Sequence, residues 1–194
     1  MMPALVLWDF GDTLVDERWM RRSPPSCPEW EAAWVDTMSE LADAWNVGDV
    51  TLDDVVAALA RRTGLTVADV EAHAVDCCHR LTFHPHAWRV ATERRWPQAL
   101  VTVNPDLFER HVVEAYDLDV VFDAVVTSCS ERTADKVRLC DAALARLGYD
   151  GERADVLLVD NRADLVRAWQ AAGGAGYVFR SDDDFARDVR GFGA

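Results

Sequence analysis

Four places in this sequence set polar groups directly after short apolar runs. The first is Trp8-Asp9-Phe10-Gly11-Asp12-Thr13-Leu14, where two carboxylates follow the apolar run 4–8. A second run ends in Thr102, with Asn104 two positions on. A third is followed by Thr127 and Ser128, and then by Lys136 at the start of a helical pattern. The fourth runs into Asp160-Asn161, with Asp164 four residues after Asp160. If Asp9, Asp160 and Asp164 converge, like charges about 4 Å apart cost about 4 kcal/mol at an effective dielectric near 20. Either a carboxyl protonates or a cation sits among them. A hard, oxygen-seeking ion that keeps some of its waters suits such ligands, which points to Mg²⁺. That ion would neutralise an anionic substrate and orient it for in-line attack. Asp9 would then be the nucleophile, passing through an aspartyl intermediate. Thr102 and Lys136, with Asn104 beside them, would hold the oxygens of the transferred group.

Convergence requires a scaffold that brings strand ends to one edge. The run 4–8 reads as a fully buried strand. Further strands are expected at 98–103, 122–127, 154–159 and 175–179. Between them the periodicity predicts helices over 87–95, 106–116, 135–147, 163–172 and 182–190, with Gly148 and Gly173-Gly174 as stops. Strands alternating with helices predict an α/β fold with a parallel sheet, whose crevice lies at the carboxyl ends of the strands. Between the first strand and the rest lie residues 16–86, too many for a loop. Trp30, Trp34, Met38, Leu41 and Trp45 recur there at helical spacing, Thr51 reads as an N-cap, Gly64 as a stop, and 67–81 as a further helix. The expected organisation is a core of 1–15 and 87–194 with a helical insertion at 16–86.

The chain has 194 residues and a net charge of −14. That balance argues against a nucleic-acid partner, which needs clustered Lys and Arg. No apolar stretch approaches the length of a membrane span, and the N-terminus lacks the pattern of a signal peptide. Five cysteines at irregular spacing suggest no disulfide framework, so a cytoplasmic setting is expected. The cluster His73, Cys77, Cys78 and His79 fits no standard zinc spacing and is read as packing. His84-Pro85-His86 is read as a hinge, and Arg18, Arg21 and Arg22 as a solvated face or an anion contact. Composition says nothing of the oligomeric state.

Taken in order, the four polar stations resemble the motifs of the haloacid dehalogenase-like (HAD) hydrolases. Asp9-Phe10-Gly11-Asp12-Thr13-Leu14 is similar to the first motif, Asp-x-Asp-Gly-Thr-Leu. Leu100-Val101-Thr102-Val103-Asn104 is similar to the second, Lys136 to the third, and Leu157-Leu158-Val159-Asp160-Asn161-Arg162-Ala163-Asp164 to the fourth. Aligning Asn104 with a Thr-Asn pair would put Val103 at the hydroxyl position; Thr102 is preferred because it follows the apolar run directly. The resemblance covers the whole chain and implies a Rossmann-like core, a helical cap at 16–86, and Mg²⁺-dependent hydrolysis of a small phosphorylated metabolite. It further implies metal ligation by Asp9, by the Gly11 carbonyl and by Asp160, with Asp164 in support.

One departure bears on mechanism. Phosphatases of this family carry a general acid two positions after the nucleophile, where this chain has Gly11; the nearest acid is Asp12, one place later. A general acid is worth about 10²–10⁴ in rate. Three readings stay open: Asp12 does the work after a local shift of the turn, the substrate has a good leaving group, or the chemistry differs. The last includes cleavage of a carbon–halogen bond and a binding protein without catalysis.

Overall fold

The computed structural model describes residues 3–189; residue 190, the last of the expected terminal helix, lies outside them, as do 1–2 and 191–194. The chain opens with β1 (Leu5–Trp8), buried on both faces. A 3₁₀ turn (Glu17–Arg21) leads to three helices, α1 (Trp30–Asn46), α2 (Leu52–Thr63) and α3 (Val67–Cys78). After α4 (Pro85–Thr92) comes β2 (Gln98–Thr102). A π-helical stretch (Phe108–Val112) runs on into α5 (Val113–Ala115) and the short α6 (Leu118–Val121). Then follow β3 (Ala124–Thr127), α7 (Ser128–Glu131), α8 (Lys136–Arg146), β4 (Val156–Asp160), α9 (Ala163–Ala171), β5 (Ala175–Val178) and α10 (Asp182–Asp188).

The five strands form one sheet in the order β3-β2-β1-β4-β5, and every neighbouring pair is parallel. Alternation along the strands separates two cores. Leu5, Leu7, Ala99, Val101, Val156 and Leu158 face Leu139, Ala143 and Trp169 of α8 and α9. Val6, Trp8, Leu100 and Val159 face the other way, and their cluster runs on through Phe10 and Phe108 to Trp30, Trp45 and Val55 in the helical insertion. The helices of the insertion join this cluster through Phe10 and Phe108. Buried Gln98 is fully used within that layer: it accepts from Trp8 Nε1 at 3.0 Å and donates to the Ala91 and Val121 carbonyls at 2.7 and 2.8 Å.

Several helix boundaries follow from side chains. Thr51 caps α2 and exchanges hydrogen bonds with Asp54 in a capping box, while Gly64 ends it at φ 71°. The helix expected over 67–81 ends at Cys78 and the strand expected from 154 starts at Val156, and two further segments differ from the sequence-based expectation. The stretch expected to be one α-helix over 106–116 is π-helical in its middle, with the Val113 amide donating to the Phe108 carbonyl. The strand expected from 122 starts at Ala124, because α6 takes the preceding residues and ends at Phe122. Both differences are choices of backbone hydrogen-bond partner made under packing.

The insertion leaves and rejoins the core at one place. Val15 bridges Phe83, the Asp16 amide donates to Thr82 O at 2.9 Å, and the His84 amide donates to Leu14 O at 2.8 Å. The segment His84-Pro85-His86 thus enters α4 with its backbone anchored.

Candidate active site

With every strand parallel and β1 central, Asp9, Thr102, Thr127 and Asp160 come to one edge of the sheet. Lys136, first residue of α8, reaches in from a position only 2% exposed. Asp135 sets that entry by accepting from the Val137 and Arg138 amides at 3.0 and 3.2 Å.

The centre of the site is a buried ion cluster. Lys136 Nζ lies 2.7 Å from Asp9 Oδ1, 2.7 Å from the Val101 carbonyl and 2.8 Å from Asp160 Oδ2. The last contact gives Asp160 Oδ2, a buried oxygen, the ammonium as its partner. Asp160 Oδ1 accepts from the Arg162 amide at 2.8 Å. Asp9 Oδ2 takes a long bond of 3.4 Å from Thr13 Oγ1, which itself accepts from the Asn161 amide at 3.0 Å. Burial raises the Asp9 carboxyl to about 6, with Lys136 pulling it down and Asp160 adding to the rise. Burial alone would lower Lys136, but Asp9 and Asp160 outweigh it and hold the ammonium above its ordinary value. The cluster is thus one cation against two acids, short of neutrality by one charge.

Thr102 Oγ1 accepts from Asn104 Nδ2 at 2.7 Å, which leaves its own proton free to be directed elsewhere. Asn104 lines a cleft of about 510 Å³ between α1 and the ends of the strands. Trp34, Met38 and Trp45 form one wall, Leu107 and Phe108 another, and Asp12, Glu17, Arg18 and Arg21 give it a charged mouth. Asp9, 8% exposed, is not among the residues that line the cleft; Asn104, which lines it, is bonded to Thr102 at the strand edge. The cleft's size falls within the range of small-molecule sites.

Two of the acids expected at the site are placed apart from this cluster. Asp164 is on the surface, its carboxylate paired with Arg162 Nε at 3.2 Å and Nη2 at 2.6 Å. Asp12 adopts φ 51°, and its Oδ1 accepts from the Glu17 amide at 3.0 Å. Among the described residues no three His, Cys, Asp or Glu side chains form a ready metal cluster. That also holds for His73 and Cys77, whose 3.6 Å contact is accompanied by a 2.7 Å bond from His73 Nε2 to the Arg22 carbonyl.

Glu17 is a site residue that the sequence does not mark, since no apolar run or motif places it. The residue is exposed at the mouth of the cleft, but its carboxyl turns inward onto Gly11. A Cβ at Gly11 would lie 2.9 Å from both Glu17 Cδ and Oε1. Loss of hydration around the carboxyl, then the like charges of Asp12 and Asp9, push Glu17 up to about 7, against an opposing pull from Arg21. Arg18 is committed to Asp16, with Nε 2.9 and 3.1 Å from its two oxygens.

No family model matches the sequence, and none of the curated proteins matches it. Solved structures do. A HAD family enzyme from Bacteroides thetaiotaomicron aligns with a TM-score of 0.76 at 14% identity, over 98% of this chain and 100% of that one. A HAD-like family hydrolase from Porphyromonas gingivalis aligns with a TM-score of 0.71 at 16% identity, over 98% and 97%. L-2-haloacid dehalogenase from Xanthobacter autotrophicus aligns with a TM-score of 0.65 at 21% identity, over 98% and 83%. The Bacteroides enzyme was also solved with magnesium and inorganic phosphate. This chain has the HAD-like fold.

Proposed function

We propose that this chain is a hydrolase of a small phosphate monoester, with the Asp9 carboxylate as nucleophile. The observation that carries the reading is the buried Asp9–Lys136–Asp160 cluster at the carboxyl edge of a parallel sheet, whose neighbouring strand end at Thr102 is bonded to Asn104 in the lining of a cleft of small-molecule size. Lys136 keeps Asp9 ionised and fixes its carboxylate through Oδ1, so that Oδ2, weakly bonded, is the oxygen available to attack. The Thr102 hydroxyl, with its lone pair occupied by Asn104, is free to donate to an oxygen of the transferred group. The helical insertion supplies the wall that receives the rest of the substrate.

The residues fit a divalent cation on one particular ground. The buried Lys136 ammonium is shared between Asp9 Oδ1 and Asp160 Oδ2, and the two carboxylates together exceed it by one negative charge. Asp9 and Asp160 would hold Mg²⁺, an ion that commonly takes one or two carboxylates and completes its shell with water and phosphate oxygens. When bound it supplies charge neutralisation for the phosphate.

Turnover of p-nitrophenyl phosphate with added Mg²⁺, abolished in Asp9→Asn, is the expected result. No turnover of any activated phosphate ester would remove the reading.

A second reading is favoured by one residue: Gly11 leaves the usual acid position empty, as suits cleavage of a carbon–halogen bond. It expects halide release from a 2-haloacid without added metal, again dependent on Asp9.

A further inference from the structure

Gly11 and Glu17 are complementary in space. The volume next to Gly11 into which a side chain at that position would project holds the Glu17 carboxyl, with Cδ and Oε1 each 2.9 Å from where the Cβ would be. Two bonds hold Glu17 there through the backbone of the 3₁₀ turn: its amide donates to Asp12 Oδ1 at 3.0 Å, and Asp16 caps the turn by accepting from the Arg18 amide at 3.0 Å. Asp12 is therefore engaged in positioning the segment that carries Glu17. Glu17 also lines the same cleft as Asn104, at its charged mouth. The ionisable groups around it are Asp9, Asp12, Arg18 and Arg21.

We propose that Glu17 is the acid and base of this site, its carboxyl delivered from the 3₁₀ turn into the volume that Gly11 leaves open. The proposal rests on the phosphate monoester reading. In the first half-reaction an Asp9 oxygen forms a bond to phosphorus while the ester P–O bond breaks. The electron pair of that bond passes to the leaving oxygen, which takes the proton of the Glu17 carboxyl and departs as an alcohol. In the second, the Glu17 carboxylate takes a proton from water as the water oxygen attacks phosphorus. The bond between Asp9 and phosphorus then breaks with its electrons returning to Asp9. The sum is ester plus water giving alcohol plus phosphate, with both carboxyl groups restored.

The test uses the full chain with Mg²⁺ and two substrates, p-nitrophenyl phosphate and an alkyl phosphate. Glu17→Gln is isosteric and keeps the amide bond to Asp12. It is expected to release about one nitrophenolate per chain in a burst, because that leaving group needs little protonation, and then to turn over about 10²–10⁴ times more slowly than wild type. With the alkyl ester it is expected to give no burst. Gly11→Asp combined with Glu17→Ala is expected to recover turnover relative to Glu17→Ala alone, since the acid returns to the same volume from the other side. Wild-type rates on both esters in Glu17→Gln would overturn the proposal. Equal losses on both esters without a burst, or no recovery in a double variant whose circular dichroism is native, would also overturn it. If wild type hydrolyses no phosphate ester, or Asp9→Asn remains active, the phosphatase reading fails and the proposal falls with it. If that reading stands and only the Glu17 results fail, the acid lies elsewhere.

Discussion

Lys136 donates to Asp9 across 127 positions of the chain, Nζ to Oδ1 at 2.7 Å, and the bond is buried. The same ammonium stands 2.8 Å from Asp160, so removing it would leave two buried carboxylates facing each other. Lys136→Met is expected to cost about 3–5 kcal/mol at neutral pH, the usual cost of stripping one partner from a buried pair. For a chain of this size that lowers Tm by roughly 6–20 °C. The sign with pH follows from the uncompensated acids. Their folded-state values would sit above the unfolded ones, so the folded variant would bind more protons and lose stability as pH rises. Thermal melts at pH 5 and pH 8 check this; an unchanged Tm would mean that the cluster is solvated.

Asp160 and Asp164 are expected to behave differently although they stand four residues apart. Asp160 is buried in the cluster with Lys136 and Asp9, while Asp164 is paired with Arg162 at the surface. Asp160→Asn should raise the Mg²⁺ concentration needed for p-nitrophenyl phosphate turnover. Asp164→Asn should leave that requirement unchanged, with a stability change within about 0.5 kcal/mol. Equal Mg²⁺ titration curves for the two variants would count against Asp160 as the ligand.

Asp182 ties the last described helix, α10, to α4. Its carboxylate accepts from the His86 amide at 2.9 and 3.1 Å and from the Ala87 amide at 2.9 Å, and it pairs with His86 Nδ1 at 2.8 Å. Burial would raise this carboxyl, but the His86 and Ala87 bonds outweigh burial and hold it below its ordinary value. A depressed folded-state value stabilises above the unfolded pKa, and that contribution is lost as pH falls through the folded value. Asp182→Ala is expected to cost about 2–3 kcal/mol at pH 7. The gap from wild type should close in strong acid, which urea melts at neutral and low pH would show.

Trp34 lines the cleft on the α1 wall, where its ring centroid is 6.2 Å from that of Trp45. If the substrate's body rests there, Trp34→Ala should raise KM for an aromatic phosphate by roughly three- to tenfold, the equivalent of about 0.5–1.5 kcal/mol of aromatic contact. The kcat value should change little, because the wall touches no reacting atom. A fall in kcat at constant KM would place Trp34 in the closing of the site instead.

What the sequence determined by itself was the scaffold and the position of each polar station along it. Apolar runs of strand length ending at Asp9, Thr102 and Asp160 fix side-chain position through the backbone alone, because a parallel sheet brings such ends to one edge. Lys136 and the caps at Thr51 and Gly64 were legible for the same kind of local reason. Tertiary structure decided where side chains in turns and at helix starts point. Asp12 turned into the left-handed region to hold the Glu17 amide, Asp164 swung outward to Arg162, and Glu17 came to rest against Gly11. None of these leaves a periodic trace, because turns and the first residues of a helix carry no repeating face. A side chain there is directed by one or two contacts worth a kilocalorie or so each, and those contacts exist only once the chain has folded.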